Sequence, residues 1–148
     1  MNEGLNKALC GMTTVLDENL AEVAVEDLVK DTDCIGLYFS AHWCPPCRGF
    51  TPVLADFYKT LKAKGGSIEV IFISSDRDEA SFKEYFGTMP WHALKFGQPE
   101  KQTLGELYGV RGIPSLIILD KNGAVKDSNG RGTVQANPSA DSVPSSWK

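Results

Sequence analysis

A chain of 148 residues that is 42% apolar and 23% charged has the size and composition of one domain with its own hydrophobic core. A net charge of −4 offers no broad basic surface for nucleic acid or anionic membranes, and four cysteines are too few for a disulfide-built scaffold. No apolar run reaches the roughly 18 residues of a membrane span, and Met1 to Leu16 lacks the basic start and apolar core of a signal peptide, so a reducing cytoplasmic or nuclear setting is expected.

In chain order, residues 1–12 are weakly patterned and are expected to be a mobile extension. Thr13 to Leu16 and Glu22 to Ala24 read as a short hairpin or edge pair, and Val25 to Lys30 as a short helix or turn. Cys34 to Ala41 is nearly continuous apolar sequence of strand length, the mark of a strand buried on both faces. From 45 to about 64, Phe50, Val53, Leu54, Phe57, Tyr58 and Leu61 recur at helical spacing. Pro52 lies inside that helix and should kink it, and Lys62, Lys64, Gly65 and Gly66 should close it. Ile68 to Ser74 is a second buried strand, followed by an amphipathic helix from Glu79 to about Gly87 with Phe82, Tyr85 and Phe86 on one face.

Met89-Pro90-Trp91 breaks that helix, and Ala93 to Phe96 reads as a short strand. Lys101 to Tyr108 reads as a helix closed by Gly109, Ser115 to Leu119 as a third apolar strand, and Asn122-Gly123 as a hairpin turn. Val125 to about Gln135 should return as an edge strand, and the Ser- and Pro-rich residues 136–148 read as a tail. The order predicts an α/β domain over residues 13–135: a parallel βαβ unit with a right-handed crossover, then an antiparallel hairpin, in a central mixed sheet flanked by helices.

Trp43-Cys44-Pro45-Pro46-Cys47 stands where the first buried strand feeds the long helix. A C-x-x-C at such a junction reads as a redox motif, because the unpaired N–H groups and positive dipole end of the helix stabilise a thiolate. Cys44, at the junction, is expected to be partly exposed, with a lowered pKa, and to attack. Cys47, one turn further in, is expected to be more buried and to resolve the mixed disulfide. Pro45 and Pro46 suit the first helical turn, and they remove donors that could stabilise the Cys44 thiolate, so they should tune the reduction potential. A zinc half-site would need a second ligand pair, and Cys10, Cys34, His42 and His92 form no second close pair. No metal or cofactor is therefore expected. A loop this short would contribute little as a structural disulfide.

Gly112-Ile113-Pro114 precedes the third apolar strand. Proline is tolerated at a strand's first residue. Beside a reactive cysteine pair, a sharper expectation is a cis Ile113–Pro114 bond next to Cys44, turning the Ile113 backbone toward an extended substrate.

Trp43 to Pro52 resembles the active-site signature of nucleoredoxin and the tryparedoxins. So do Ser74-Ser75-Asp76-Arg77-Asp78-Glu79, Ser81-Phe82, Tyr85-Phe86, Met89-Pro90-Trp91, Tyr108-Gly109-Val110 and Gly112 to Leu116. The resemblance covers about residues 13–135. It implies a thioredoxin fold and dithiol–disulfide oxidoreductase activity on protein disulfides, with Cys44 as nucleophile, Cys47 as resolving thiol, Pro114 as the cis-proline and Trp43 packing over the disulfide. It also implies a link to redox control of signalling proteins in Wnt and NF-κB pathways; the electron donor stays open, and thioredoxin reductase or a low-molecular-weight thiol could each reduce the pair. Nucleoredoxin is larger, and its multi-domain features are not carried over.

Common thioredoxins carry a buried Asp six residues before the nucleophile; here Tyr38 stands there. A phenol with a pKa near 10 is a poor base at neutral pH. Proton transfer would then use water or a carboxylate, with Asp76 and Glu79 as candidates; their spacing equally suits a helix cap, the favoured reading. Cys34 reads as a core residue, and Cys10 could join two copies of an otherwise monomeric chain. His42 and Arg48 could tune Cys44 or simply face solvent, and Trp91 could pack or share a substrate rim with Trp43. A redox-switched binding module is the rival to an enzyme.

Overall fold

The computed structural model describes residues 2–148. Its elements are α1 (Glu3–Ala8), β1 (Thr14–Leu16), β2 (Glu22–Ala24), α2 (Val25–Val29), β3 (Cys34–Ser40), α3 (Pro45–Ala63) and β4 (Ile68–Ser74). There follow α4 (Glu79–Phe86), β5 (His92–Ala93), α5 (Glu100–Leu107), β6 (Ser115–Asp120), β7 (Val125–Asp127), α6 (Gly130–Ala136) and a 3-10 turn (Ser145–Trp147). Among the described residues the strands make one seven-stranded mixed sheet in the order β2-β1-β5-β4-β3-β6-β7. β3 runs parallel to β4 and antiparallel to β6, so it is an interior strand beside the central β4. This is a thioredoxin fold.

Strand periodicity divides the core in two. Every residue of β3 and of β4 is buried, which requires cover on both faces of the sheet. Tyr38, Val70, Phe72 and Ile118 point to the side of α3 and α4, where they meet Phe50, Leu54, Phe57, Phe82 and Trp91. Their neighbours Leu37, Phe39, Ile71, Ile73 and Ile117 point to the other side, against Leu5, Leu9, Val25 and Leu104. The alternation follows from the two-residue repeat of a strand. Ser40, two residues beyond Tyr38, therefore belongs to the α3–α4 side.

Both ends of the chain correct the sequence reading. Residue 1 lies outside the described residues, and residues 2–12 are not a loose extension. Leu5, Leu9 and Met12 are buried at helical spacing, the Asn2 side chain caps α1 by accepting from Leu5 N at 2.7 Å, and the Tyr108 hydroxyl donates to Ala8 O. Residues 136–148 are not a free tail either. Trp147 is buried against Phe57, with ring centroids 5.6 Å apart, and its Nε1 donates to Asp127 Oδ2 at 2.8 Å. The expected edge strand at 125–135 lasts only to Asp127 and gives way to α6. Asn129 caps α6 by accepting from Gly132 N, and Val134 is buried beneath it.

Candidate active site

The site forms where β3 and β4 end. After Ser40 the chain turns through Ala41-His42-Trp43, and Cys44 is the N-cap of α3 with Pro45 and Pro46 in the first turn. Prolines fit there because those positions have no intrahelical acceptor for an N–H. Cys47 faces inward one turn later. The loop after β4 braces this turn. Ser75 N donates to Ser40 O at 2.9 Å, Trp43 Nε1 donates to Ser75 O at 3.0 Å, and His42 N donates to Asp76 Oδ1 at 2.7 Å.

Cys44 is 5% exposed, more enclosed than its position suggested, and Cys47 is fully buried. Burial first, and then the neighbouring Cys44, push the Cys47 thiol up to about 11 against the lowering effect of the Ser40 side chain and the Ala41 backbone. The Ile113–Pro114 bond is cis, and Cys44 Sγ lies 3.8 Å from Ile113 O. Ile113 packs against the cluster of Ala41, Cys44 and Cys47. Trp43 is the exposed shoulder of the site, 49% accessible, with the Arg77 guanidinium 5.1 Å from its ring centroid.

Asp76 is not the helix cap. Asp78 caps α4, accepting from Ser81 N at 2.7 Å, whereas Asp76 is buried and holds His42 N and the Ser74 hydroxyl. Asp76 thus fixes the loop that presents Trp43. Glu79 is exposed and pairs with Lys83 at 3.9 Å, away from the sulfurs. Trp91 shares no rim with Trp43; it is 1% exposed and packs edge-on to Tyr38 and Tyr58. Cys10 sits at a packed turn, and burial together with the Glu100 charge raises its pKa. Cys34, at the start of β3, is a core residue whose thiol burial pushes up to about 11.

The sequence reading missed a set of buried hydroxyls behind Cys47. Tyr38 Oη and Thr51 Oγ1 are 2.6 Å apart, as are Thr51 Oγ1 and Tyr85 Oη, and Tyr85 Oη and Ser40 Oγ. Thr51 also donates to Cys47 O at 2.9 Å. Part of this could be read in advance: Cys47 and Thr51 are four apart on one helix face, and Tyr38 and Ser40 two apart on one strand face.

This arrangement is a helix-capping thiol, a buried thiol one turn on and a backbone carbonyl facing the outer sulfur. Residues 31–125 match the family model described as Thioredoxin-like. The chain belongs to the thioredoxin-like family. It is 49% identical over 130 residues to probable nucleoredoxin 1 of Arabidopsis thaliana, a match that covers 88% of this chain and 22% of that protein. It is 45% identical over 144 residues to the tryparedoxin of Trypanosoma brucei brucei, covering 95% of this chain and 96% of that one. Among solved structures, tryparedoxin II complexed with glutathionylspermidine superposes with a TM-score of 0.86 at 36% identity, covering 97% of this chain and 99% of that one. The chain thus spans about a fifth of the length of the nucleoredoxin it matches and nearly all of a tryparedoxin. Its site is of the thioredoxin-family oxidoreductase type.

Proposed function

We propose that this protein is a thiol–disulfide oxidoreductase that reduces protein disulfides through Cys44 and Cys47. The observation that carries the reading is the placement of the two sulfurs: Cys44 caps α3 beside Ile113 O, and Cys47 lies buried one turn behind it. In the reductive direction the Cys44 thiolate attacks a substrate disulfide and releases one substrate thiol. Cys47 then attacks Cys44 Sγ, releases the second thiol and leaves a Cys44–Cys47 disulfide. The Ile113 carbonyl and the exposed Trp43 offer a polar and an aromatic contact for an extended substrate next to the sulfur.

A low-molecular-weight thiol or thioredoxin reductase would restore the dithiol. The glutathionylspermidine bound by the related tryparedoxin II supports the first. On the resemblance of the sequence motifs alone, the reading extends to signalling proteins as targets in a reducing cytoplasmic or nuclear compartment. The exposed Trp43–Arg77 pair beside the sulfurs favours a second reading, a binding module that holds a partner in one redox state.

Dithiothreitol-driven insulin reduction tests the first reading. Wild type should turn over, and Cys44→Ser should not. Absence of turnover in wild type, with the Cys44–Cys47 disulfide still forming reversibly, would leave the binding module. Cys47→Ser separates the two as well, since a reductase should be trapped in a covalent complex and a binding module should only lose a non-covalent one.

A further inference from the structure

Cys47 must lose its proton before it can attack, yet it has no access to solvent. The chain step from Ser40 to Ala41 runs beside it, since Ala41 packs against Cys44 and Cys47, and the groups acting on its thiol are the Ser40 side chain, which lowers its pKa, and Cys44, which raises it. Asp76 is committed to His42 N and Ser74, and Glu79 is exposed. The only continuous polar path away from Cys47 among the contacts described above is the line of hydroxyls from Ser40 to Tyr85 to Thr51, each step 2.6 Å. Those three side chains are all but fully buried. Tyr85 and Thr51 also line a cavity of about 370 Å³ between α3 and α4 whose rim carries His42, Arg48 and Asp56. A cavity of that size has room for several waters.

We propose that Ser40, Tyr85 and Thr51 relay the Cys47 proton to this cavity while Cys47 resolves the mixed disulfide. The proposal rests on the dithiol reading above. Each hydroxyl has one hydrogen and can donate in either direction along the line. The Cys47 proton passes to Ser40 Oγ, the Ser40 proton to Tyr85 Oη, the Tyr85 proton to Thr51 Oγ1 and the Thr51 proton to water in the cavity. The freed electron pair on Cys47 Sγ forms the bond to Cys44 Sγ. The Cys44–substrate bond breaks, and the substrate leaves as a thiolate that takes up a proton from solvent. Once the proton has gone, the hydroxyls turn to donate toward the sulfur. Tyr85 is suited to passing a proton rather than keeping a charge, because burial raises its pKa and holds it neutral. Ser40 is the first hydroxyl of the line; Tyr85 and Thr51 act through it.

The two chemical steps can be watched separately by mixing reduced protein, in a Cys10→Ser background, with Ellman's disulfide. The first thionitrobenzoate released reports attack by Cys44 and the second reports resolution by Cys47. Tyr85→Phe should leave the first phase within about twofold and slow the second roughly tenfold or more. The deficit should close as pH rises and hydroxide takes the Cys47 proton directly. The titratable groups acting on Cys47 are Cys44 at the start of α3 and Tyr85 on α4, with Tyr38 bonded to Thr51 and His42 beside Tyr85 at 5.6 Å. Thr51→Ser should keep the second phase and Thr51→Val should lose it; this pair decides the matter if Tyr85→Phe does not fold. A second phase within about twofold of wild type in both Tyr85→Phe and Thr51→Val, or a deficit equal at every pH, overturns the relay. Loss of the first phase in wild type overturns the dithiol reading instead.

Discussion

The two ends of β3 each bury a cysteine, and burial pushes both thiols up to about 11. At one end, Cys34 Sγ lies 3.5 Å from Trp147 O, walled in by the C-terminal segment. At the other end, roughly 20 Å away along the strand, Cys47 has a second thiol one turn back, the Ser40–Tyr85–Thr51 hydroxyls behind it and a cavity lined by Tyr85 and Thr51. Burial is common to both and so confers no chemistry. What separates them is the neighbourhood: Cys34 meets a backbone carbonyl, packing and the charges of Asp33, Asp120 and Lys126, whereas Cys47 meets a partner sulfur and lies in front of a line of buried hydroxyls. The Cys34 end should therefore serve stability, and the Cys47 end turnover.

That division can be broken in four ways. The largest effect belongs to the sulfur chemistry: Cys44→Ser should lower insulin reduction at least about a hundredfold, the scale expected on deleting a covalent nucleophile. Cys34→Ala should leave turnover within about twofold; a comparable loss there would abolish the contrast. Next, Trp147→Ala should cost about 3–5 kcal/mol in chemical denaturation, because it opens a cavity over Phe57 and removes one of the hydrogen bonds to Asp127. Turnover per folded molecule should survive.

The third effect is shared by both ends. A thiol whose pKa is raised on folding contributes its stability fully below the unfolded value and loses it as pH climbs to the folded one. Under reducing conditions, stability should thus fall between about pH 9 and about pH 11, by about 1.4 kcal/mol per pH unit per thiol. Cys34→Ala should make that slope shallower, and an unchanged slope would mean that Cys34 is not enclosed in solution. The smallest effect returns to the Cys34 end. Gly123 has φ +90°, and a Cβ there would stand 2.5 Å from Gly4 O. Gly123→Ala should lower stability by about 1–2 kcal/mol, read as a shifted denaturation midpoint with turnover per folded molecule intact.

Much of this architecture was legible in the chain. β3, β4 and β6 announced themselves because a strand covered on both faces must be apolar throughout, and α3 because its apolar residues recur at helical spacing. α6 was not legible: Gly130 and Gly132 weaken any local helical signal, and Val134 packing together with the Asn129 cap supplies what propensity lacks. The N-terminal helix did leave a trace in the spacing of Leu5, Leu9 and Met12, but six residues are too few for that pattern to stand out. Trp147 had none, since a single aromatic among serines and prolines says nothing of the surface it meets.

The candidate site divides along the same line. Spacing alone determined that Cys44 would cap a helix with Cys47 one turn behind, because both sulfurs belong to one local turn. The partners of those sulfurs come from Ser40, Thr51, Tyr85 and Ile113, which lie on four separate elements or loops. Their meeting depends on the register of β3 between β4 and β6 and on which face of α4 turns inward. Neither is written in any short stretch of chain. Only the folded sheet could decide that Tyr38 is one of several hydroxyls rather than a lone phenol, that Asp76 braces a loop rather than capping a helix, and that Cys47 has a route to water.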